Sequence, residues 1–212
     1  MATPKLWISP GACSLVPHII IREAGIDFEL VVINVKAGFP NQHRNVNPKG
    51  RVPILQLGEE TITEVPAILT AISQFCPEKH LLGKTNLDIV RTYEWLNWLS
   101  GSLHAQAFGG IRRPHRWSDD EGTYDSIRAK GKKNLVEWLD LIEGKLKGTH
   151  AVGDDFTVVD AFLIVIYRWS NQAGIDMREK YPKITALVLE AARRESVAAA
   201  LKKEGVDIWS SN

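Results

Sequence analysis

The spacing of apolar and polar residues divides the chain into two regions. Up to about residue 76, short apolar runs of extended character alternate with stretches of helical periodicity. The pattern predicts strands at residues 5–8, 28–35, 52–57 and 61–63, helices at 15–25 and 66–75, and a short helix within the polar stretch 36–47. Residues 28–35 are rich in β-branched side chains, which is typical of a strand buried on both faces. Because parallel β-α-β crossovers are right-handed, this order predicts an α/β region with a mixed four-stranded sheet flanked by helices.

The second region contains no convincing strand pattern. Apolar residues recur at helical spacing over residues 88–108, 124–146, 158–173 and 184–202. Thr157 and Asp160 have the spacing of a capping box at the start of the third stretch. Pro77, Gly83 and Asn86 interrupt the periodicity between the two regions. We therefore predict an α/β domain over residues 1–78, a linker over 79–87 and an all-α helical bundle over 88–212.

The composition indicates a globular chain whose partners are small molecules or proteins. The 212 residues are 44% hydrophobic, which is enough for a sizeable core. The 26 Lys and Arg residues balance 25 Asp and Glu residues to a net charge of +1, which argues against a nucleic-acid-binding protein. No apolar run is long enough to span a membrane and the N-terminus lacks a signal-peptide pattern, so we expect a cytoplasmic location.

The two cysteines, Cys13 and Cys76, lack the spacing of a metal site or a disulfide framework, so we expect reduced thiols and no bound metal. Cys13 lies in the sequence SPGACS, residues 9–14, between a predicted strand and a predicted helix. Unpaired N–H groups and the positive end of the helix dipole favour an anion there, which predicts a lowered thiol pKa. The alternative is that Cys13 is a small packed residue and that Ser14 caps the helix.

Several short segments together resemble one protein family, the cytosolic glutathione transferases, and within it the bacterial beta class. The segments are residues 9–14, 17–18 (PH), 47–53 (NPKGRVP), 63–64 (TE) before 67–69, and 96–104, which contains Asn97 and His104. Their order and spacing match the thioredoxin-like half and the first helix of the helical half of that family. The resemblance covers nearly the whole chain and implies glutathione, a tripeptide thiol, as the co-substrate.

The resemblance implies roles for the residues around the thiol. Cys13 is the implied active-site residue, and Ser14 is the alternative. Arg51, Val52 and Pro53 match the segment where the family has a cis peptide bond before proline. The backbone groups exposed there pair with the cysteinyl part of glutathione as an added strand, so these residues are implied to bind glutathione. Without the resemblance, Pro53 is interpreted as an ordinary edge-strand proline.

Glu64 and Val65 match the turn where the family holds the γ-glutamyl end of glutathione with an acidic residue and a following serine. The carboxylate receives the ligand ammonium, and helix N–H groups receive its carboxylate. Here Val65 replaces the serine hydroxyl and Pro66 lacks an N–H, which predicts a loss of about 1.5–3 kcal/mol of binding free energy. The alternative interpretation of Glu64 is an acid that favours a helix N-terminus.

Asn97 and His104 are seven residues apart, so on one regular helix both face the same side. The resemblance implies that His104 reaches towards the thiol or the glycyl end of glutathione and that Asn97 lines the site, in relatives that of the neighbouring subunit. The alternative for His104 is a packed or surface residue. The basic residues Arg112, Arg113, His115 and Arg116 follow. They attract an anionic second substrate or the glutathione carboxylates, although a solvated loop is the favoured interpretation.

These inferences lead to a glutathione transferase-like enzyme that acts in detoxification. It binds glutathione and transfers the thiolate to small electrophiles, with thiol–disulfide exchange through Cys13 on disulfide substrates as a further activity. The alternative is a non-catalytic protein of the same fold, a ligand carrier or protein-interaction module, which Val65, Pro66 and Ala105 favour. The resemblance also implies a homodimer.

Overall fold

The computed structural model describes residues 2–35 and 38–209. Its first region contains the strands β1 (Lys5–Ile8), β2 (Glu29–Val32), β3 (Ile54–Leu57) and β4 (Glu60–Thr63). The sheet order is β2-β1-β3-β4, in which β1 runs parallel to β2 and antiparallel to β3, and β3 pairs antiparallel with β4. The predicted mixed four-stranded sheet is therefore confirmed. Of the polar stretch 36–47, a single 3₁₀ turn at Asn41–His43 is helical, while Lys36 and Ala37 lie outside the described residues.

Strand β2 lies at the edge of the sheet, so the prediction that this segment is buried on both faces is wrong. Val32 is 54% exposed, Glu29 is exposed, and the two residues between them are half-buried. The β-branched run favours a strand but carries no information about which strands flank it. Because β2 pairs with β1 alone, one side and part of both faces remain open.

Two helices, α1 (Leu15–Ala24) and α2 (Val65–Ser73), belong to the sheet region. Helix α1 is buried almost all round, and it ends at Gly25, whose N–H bonds to the carbonyls of Arg22 and Ile21. A helix that is buried on nearly every side must be covered by neighbouring elements on nearly every side. Helix α1 meets this requirement because it packs against α2 and also against two helices of the second region, described next.

The described residues of the second region form helices joined by loops and contain no strand. Its helices are α3 (Asn86–Asn97), α4 (Gly109–Arg112), α5 (Tyr124–Lys145), α6 (Val158–Gln172), α7 (Met177–Lys180), α8 (Pro182–Ala191) and α9 (Glu195–Glu204). Short 3₁₀ turns occur at Pro77–Lys79, Pro114–Arg116 and Glu121–Thr123. Within the described ranges, no helix combines the length and the apolar character needed to cross a bilayer.

Between α3 and α4 the helix widens. Residues Trp98–Phe108 form a π-helix, with hydrogen bonds from residue i to residue i+5, and α4 continues from it. This segment has more residues per turn than the 3.6 of an α-helix. A spacing of seven residues therefore no longer corresponds to two turns, and the periodicity argument for residues 88–108 holds only as far as Asn97.

The predicted single helix over residues 184–202 is two helices, α8 and α9. Arg194 between them has extended backbone angles, φ −72° and ψ 136°. Its guanidinium and the Ser196 hydroxyl both donate to the carboxylate of Glu23 on α1. This contact with a distant part of the chain accounts for a break that the local apolar pattern does not show.

Helix α6 lies at the centre of the core and begins with the predicted capping box. Thr157 N–H donates to Asp160 Oδ2 at 2.7 Å, and the Thr157 side chain accepts from the first turn of the helix. Helix α1 packs against both α6 and α9, so one apolar core continues from the sheet region into the helical region. The loop before α1, which carries Cys13, therefore lies where the two regions meet.

Candidate active site

The loop between β1 and α1 is folded back on itself by two serines. Ser14 Oγ accepts from the Ser9 N–H at 3.0 Å and donates to the Ser9 carbonyl at 3.2 Å. Ser14 occupies the N-cap position of α1, but its side chain makes no capping hydrogen bond. The Ser9 hydroxyl accepts from the Val35 N–H at 3.3 Å. The Ser14 hydroxyl is fully engaged within the loop, and the loop is fixed to the segment that follows β2.

The structure brings Cys13 next to the predicted glutathione-binding segment. Cys13 is 7% exposed, and its Sγ donates to the Val52 carbonyl at 3.5 Å. The peptide bond between Val52 and Pro53 is cis, as the resemblance implied. Val52 is half-buried, Pro53 is buried, and Arg51 before them is exposed.

Burial raises the pKa of the Cys13 thiol from 9.0 to about 12. The positive charges of Arg113 and Arg51 and a backbone hydrogen bond act in the opposite direction, while Glu64 adds to the increase. Removing an ionisable group from water disfavours its charged form, and here that effect exceeds the attraction of the helix N-terminus. The prediction of a lowered thiol pKa is therefore wrong for the ligand-free protein.

Gly11, two residues before the thiol, is clamped from both sides by the helical region. Its N–H donates to Glu204 Oε2 at 2.8 Å, and its carbonyl accepts from Trp169 Nε1 at 3.0 Å and Arg168 Nη1 at 3.3 Å. Gly11 has φ +72°, and a Cβ at this position would lie 3.0 Å from Arg168 Nη1. Both the backbone conformation and the close approach of Arg168 require glycine here.

Glu204, which accepts from the Gly11 N–H, also forms a buried pair with His18. His18 Nδ1 lies 2.8 Å from Glu204 Oε1, and both side chains are fully buried. Arg22 Nε donates to His18 Nε2 at 3.0 Å, so Nε2 is the acceptor and the proton of a neutral ring is on Nδ1, facing Glu204. Sequence reasoning missed Gly11, Glu204, Arg168 and Trp169 as site residues. His18 belonged to the resembled segment, but Glu204 follows Gly11 by 193 residues and no local pattern joins them.

The turn from β4 into α2 places Glu64 in an uncommon conformation. Glu64 has φ 72° and ψ 127°, which a residue other than glycine rarely adopts. Its exposed carboxylate accepts from Lys49 Nζ at 2.5 Å, and Lys49 also donates to the Thr63 hydroxyl at 2.6 Å. Val65 and Pro66 begin α2, so the first turn presents the Val65 N–H but no donor at Pro66.

The structure gives Asn97 and His104 different environments. Asn97 is exposed and its amide donates to the Tyr93 carbonyl at 2.8 Å. The His104 ring lies 5.1 Å from the Trp169 ring, and burial together with nearby arginines lowers the pKa of His104 to about 4. The prediction that both residues share one face assumed a regular α-helix, and the π-helix between them removes that premise.

The basic cluster of Arg112, Arg113, His115 and Arg116 is not simply a solvated loop. Arg112 is the last residue of α4, and its guanidinium lies 4.8 Å from the Trp169 ring and 5.4 Å from the Phe108 ring. It also donates to Gln172 Oε1 at 2.9 Å. Arg113 lies between α4 and the 3₁₀ turn that contains His115 and Arg116, and all three side chains are exposed. Arg112 thus joins the wall that contains Trp169 and His104.

Within the described residues, Cys76 forms no second reactive thiol and the acidic side chains form no metal site. Cys13 and Cys76 are both free, and burial raises the pKa of Cys76, whose Sγ lies 3.9 Å from the Ile72 carbonyl. In the described ranges 2–35 and 38–209, no three His, Cys, Asp or Glu side chains gather in an arrangement that could hold a metal ion.

Comparisons with known proteins agree with this architecture. The family model of the glutathione S-transferase N-terminal domain matches residues 2–74, and that of the C-terminal domain matches residues 114–195. Glutathione S-transferase GstA of Escherichia coli O157:H7 is 35% identical over 208 residues, which are 95% of this chain and 99% of the relative.

Solved structures extend the comparison to the whole fold. A glutathione transferase homologue from Sulfitobacter with bound glutathione superposes with a TM-score of 0.91 at 27% identity, covering 98% of this chain and 100% of that one. A bacterial beta-class glutathione S-transferase of Sphingomonas chungbukensis gives a TM-score of 0.84 at 35% identity, covering 96% and 100%. The chain belongs to the glutathione S-transferase family.

Proposed function

We propose that this glutathione transferase holds glutathione between the Cys13 loop and the Glu64 turn and transfers its thiolate to small electrophiles. The observation that carries the proposal is the buried Cys13 thiol beside the Val52 carbonyl, in the positive field of Arg51 and Arg113. The Sulfitobacter homologue, with bound glutathione, supports glutathione as the co-substrate. In the reaction the glutathione thiol loses its proton to water, a carbon–sulfur bond forms, and the leaving group departs with its electron pair.

Cys13 acts in this proposal as a neutral hydrogen-bond donor to the glutathione thiolate. A thiol with a pKa of about 12 keeps its proton at neutral pH, so it stabilises an anion rather than becoming one. Ser14 is the weaker candidate because it is fully buried and its hydroxyl both accepts from and donates to Ser9, whereas Cys13 has a single contact of 3.5 Å with the Val52 carbonyl. Glutathione itself, drawn into a positive site, supplies the nucleophile.

Thiol–disulfide exchange would use the same cysteine differently. Cys13 would lose its proton and attack a disulfide, forming a mixed disulfide and releasing a thiolate, and glutathione would then regenerate the thiol. The raised pKa of Cys13 makes this the slower of the two activities. Cys13→Ala therefore abolishes exchange, whereas conjugation falls by about tenfold through loss of one hydrogen bond to a charged group.

The Glu64 turn receives the γ-glutamyl end in our proposal. The Glu64 carboxylate binds the ammonium, and the Val65 N–H at the start of α2 binds the carboxylate. An uncommon backbone conformation at an exposed residue is often retained because the residue contacts a ligand. Calorimetric titration with glutathione tests this role, and we expect Glu64→Ala to weaken binding by about tenfold. Glu59→Ala in the neighbouring hairpin turn is the matched control.

The same titration, combined with a conjugation assay, separates the enzyme from the non-catalytic alternative that Val65, Pro66 and Ala105 favoured. Binding with turnover above the uncatalysed rate supports the transferase. Binding without turnover supports the ligand carrier. If neither binding nor thermal stabilisation occurs at high glutathione concentration, the protein-interaction module becomes the better description.

The pH dependence of the thiol provides a further prediction. The raised pKa means that the Cys13 thiol stays almost fully protonated between pH 6 and about pH 10, so the small thiolate fraction, and with it the alkylation rate, rises with pH without a plateau. The measurement is iodoacetamide labelling of the Cys76→Ala variant, followed by mass spectrometry. A plateau near pH 7 would show that the helix N-terminus outweighs burial.

We also propose a homodimer and a role in detoxification, which follow from the resemblance, and the cytoplasmic location expected from the sequence. Support for the dimer comes from the exposed side of α3, where Leu87 and Val90 are 63% and 60% exposed and Asn97 follows at helical spacing. Leu87→Glu should convert the dimer to a monomer in light scattering, while Leu189→Glu, at another exposed leucine, should not.

A further inference from the structure

Four arginines near the thiol have no carboxylate partner within the described parts of the chain. They are Arg51, Arg112, Arg113 and Arg116. Two exposed arginines elsewhere show the usual arrangement, in which Arg91 pairs with Glu94 and Arg193 with Glu190. Like charges placed together without counter-ions create a strong local positive potential. This potential would be relieved by an anion from outside the chain.

The positive potential acts at the reacting centre. Arg113 and Arg51 both lower the pKa of Cys13 and of His104, and Arg112 and Arg116 lower that of His104 further. His104 is therefore neutral at physiological pH and does not contribute to the charge. Glu64 is the acidic group that acts on Cys13, and Lys49 neutralises it.

Arg112 is held in place rather than extended freely into solvent. Its guanidinium stacks over Trp169 and Phe108 and donates to Gln172. Trp169 in turn donates to the carbonyl of Gly11, which fixes the stacked arginine relative to the thiol loop. Part of Arg112 remains open to solvent, while burial and its neighbours Arg168 and Arg113 lower its pKa to about 10, so it stays charged at neutral pH. A guanidinium with donors left over is suited to bind a carboxylate.

Flat rings lie beside these charges. The His104 and Phe108 rings lie 5.1 Å and 5.2 Å from the Trp169 ring. Trp117, next to Arg116, is 55% exposed, and its Nε1 would lie 3.7 Å from a Cβ at Gly109 on the same helix wall. Phe108 and Trp169 are themselves buried, at 2% and 3% exposure, and Arg112 covers them. The exposed Trp117 and the half-buried His104 offer the ring surface on which an aromatic ligand can stack while an acidic substituent binds an arginine.

We propose that the second substrate is an aromatic electrophile that bears a carboxylate, which Arg112 binds with support from Arg113 and Arg116. The inference rests on the proposed function and specifies the substrate class for the same site. The glutathione sulfur attacks the ring carbon, the carbon–sulfur bond forms, and a halide leaves with its electron pair. The carboxylate remains ionised and unchanged throughout.

The test compares 4-chloro-3-nitrobenzoate with the neutral 4-chloro-3-nitrobenzamide, each rate divided by its uncatalysed rate. We expect kcat/KM to favour the acid by about tenfold, and Arg112→Gln to lower kcat/KM for the acid about tenfold more than for the amide, so that the preference is lost. Arg193→Gln is the control, because its charge is paired with Glu190 on the surface. In the unmodified protein, the preference should fall as salt is raised from about 20 to about 500 mM.

Each outcome decides the proposal. Equal rates for acid and amide in the unmodified protein overturn it. A preference that survives Arg112→Gln overturns it too, and a raised KM for glutathione in that variant would show that the arginines serve the glutathione carboxylates. Circular dichroism verifies the fold of the variant.

Binding of the unreactive pair 3-nitrobenzoate and 3-nitrobenzamide is measured in parallel by competition. If the acid binds about tenfold more tightly and no conjugation occurs with either reactive compound, the anion site stands and the transferase proposal fails. If conjugation occurs and the unreactive acid and amide bind equally, the transferase stands and the anion site fails.

Discussion

The Cys13 loop and the Glu64 turn both connect a strand to a helix, but different contacts hold them. The loop before α1 is fixed by Glu204, Trp169 and Arg168 through the backbone of Gly11, and the Glu204 side chain is fully buried. The turn before α2 is fixed by an ion pair with Lys49 whose two side chains are 50% and 68% exposed.

The buried bonds of the Cys13 loop and the exposed ion pair of the Glu64 turn match the different roles of the two segments in the proposed mechanism. A thiol that stabilises a developing charge must keep its position, so its backbone is held by buried bonds in a water-poor environment. A carboxylate that receives a mobile ligand must exchange one cation for another, which a solvated ion pair permits at low free-energy cost. Three substitutions test this contrast, beginning with the largest expected effect.

Glu204→Ala should have the largest effect on stability. It removes the acceptor of the Gly11 N–H and leaves the His18 Nδ1–H without its partner in a fully buried place. Because two buried donors lose their acceptor, at about 1–3 kcal/mol each, we expect a loss of about 2–6 kcal/mol in the free energy of unfolding, measured in urea. Glu195→Ala, at an exposed glutamate on the same helix, should lose less than about 1 kcal/mol. Equal losses for the two variants would refute the buried clamp.

Gly11→Ala should have an intermediate effect. Alanine at φ +72° costs about 1–2 kcal/mol, and its methyl group would also displace the guanidinium of Arg168. Gly58→Ala is the matched control, because Gly58 has φ +63° and no atom within 4 Å of the added methyl. The excess loss of Gly11→Ala over this control measures the close approach. No excess in thermal unfolding would mean that Arg168 moves freely.

Lys49→Ala should have the smallest effect. The ion pair with Glu64 is largely exposed, so its loss should change the free energy of unfolding by less than about 1 kcal/mol. Chemical denaturation at low and high salt is the measurement, and the small difference should vanish at high salt. A loss comparable to that of Glu204→Ala would contradict the contrast between the two segments.

Much of the fold could be predicted because its signals are local. Strand and helix periodicities, the stop at Gly25 and the capping box at Thr157 each lie within a few residues. The edge position of β2, the break before α9 and the π-helix could not be predicted. The edge position of β2 depends on which strands pair, and the break before α9 depends on the contact of Arg194 with Glu23. The π-helix depends on hydrogen bonding that the apolar pattern does not encode.

The candidate site shows the same division. The positions of Cys13, Val52 and Glu64 followed from the resemblance, whereas the state of the thiol did not. The loop pattern indicates the helix N-terminus, which lowers a thiol pKa, but the degree of burial depends on packing between the two regions. The buried support from Glu204 is likewise invisible locally, because sequence distance and spatial distance have no relation there.

The bond between Gly11 and Glu204 has a consequence for how the chain is made. A ribosome adds about 5–20 residues per second, so the 193 residues between the two partners separate their synthesis by roughly ten to forty seconds. A growing chain that has reached the end of α6 contains the cysteine, Trp169 and Arg168, but not the carboxylate that completes the clamp. The Cys13 thiol therefore acquires its final geometry only when α9 docks, and an unfinished chain carries the cysteine without the fixed backbone that the proposed chemistry requires.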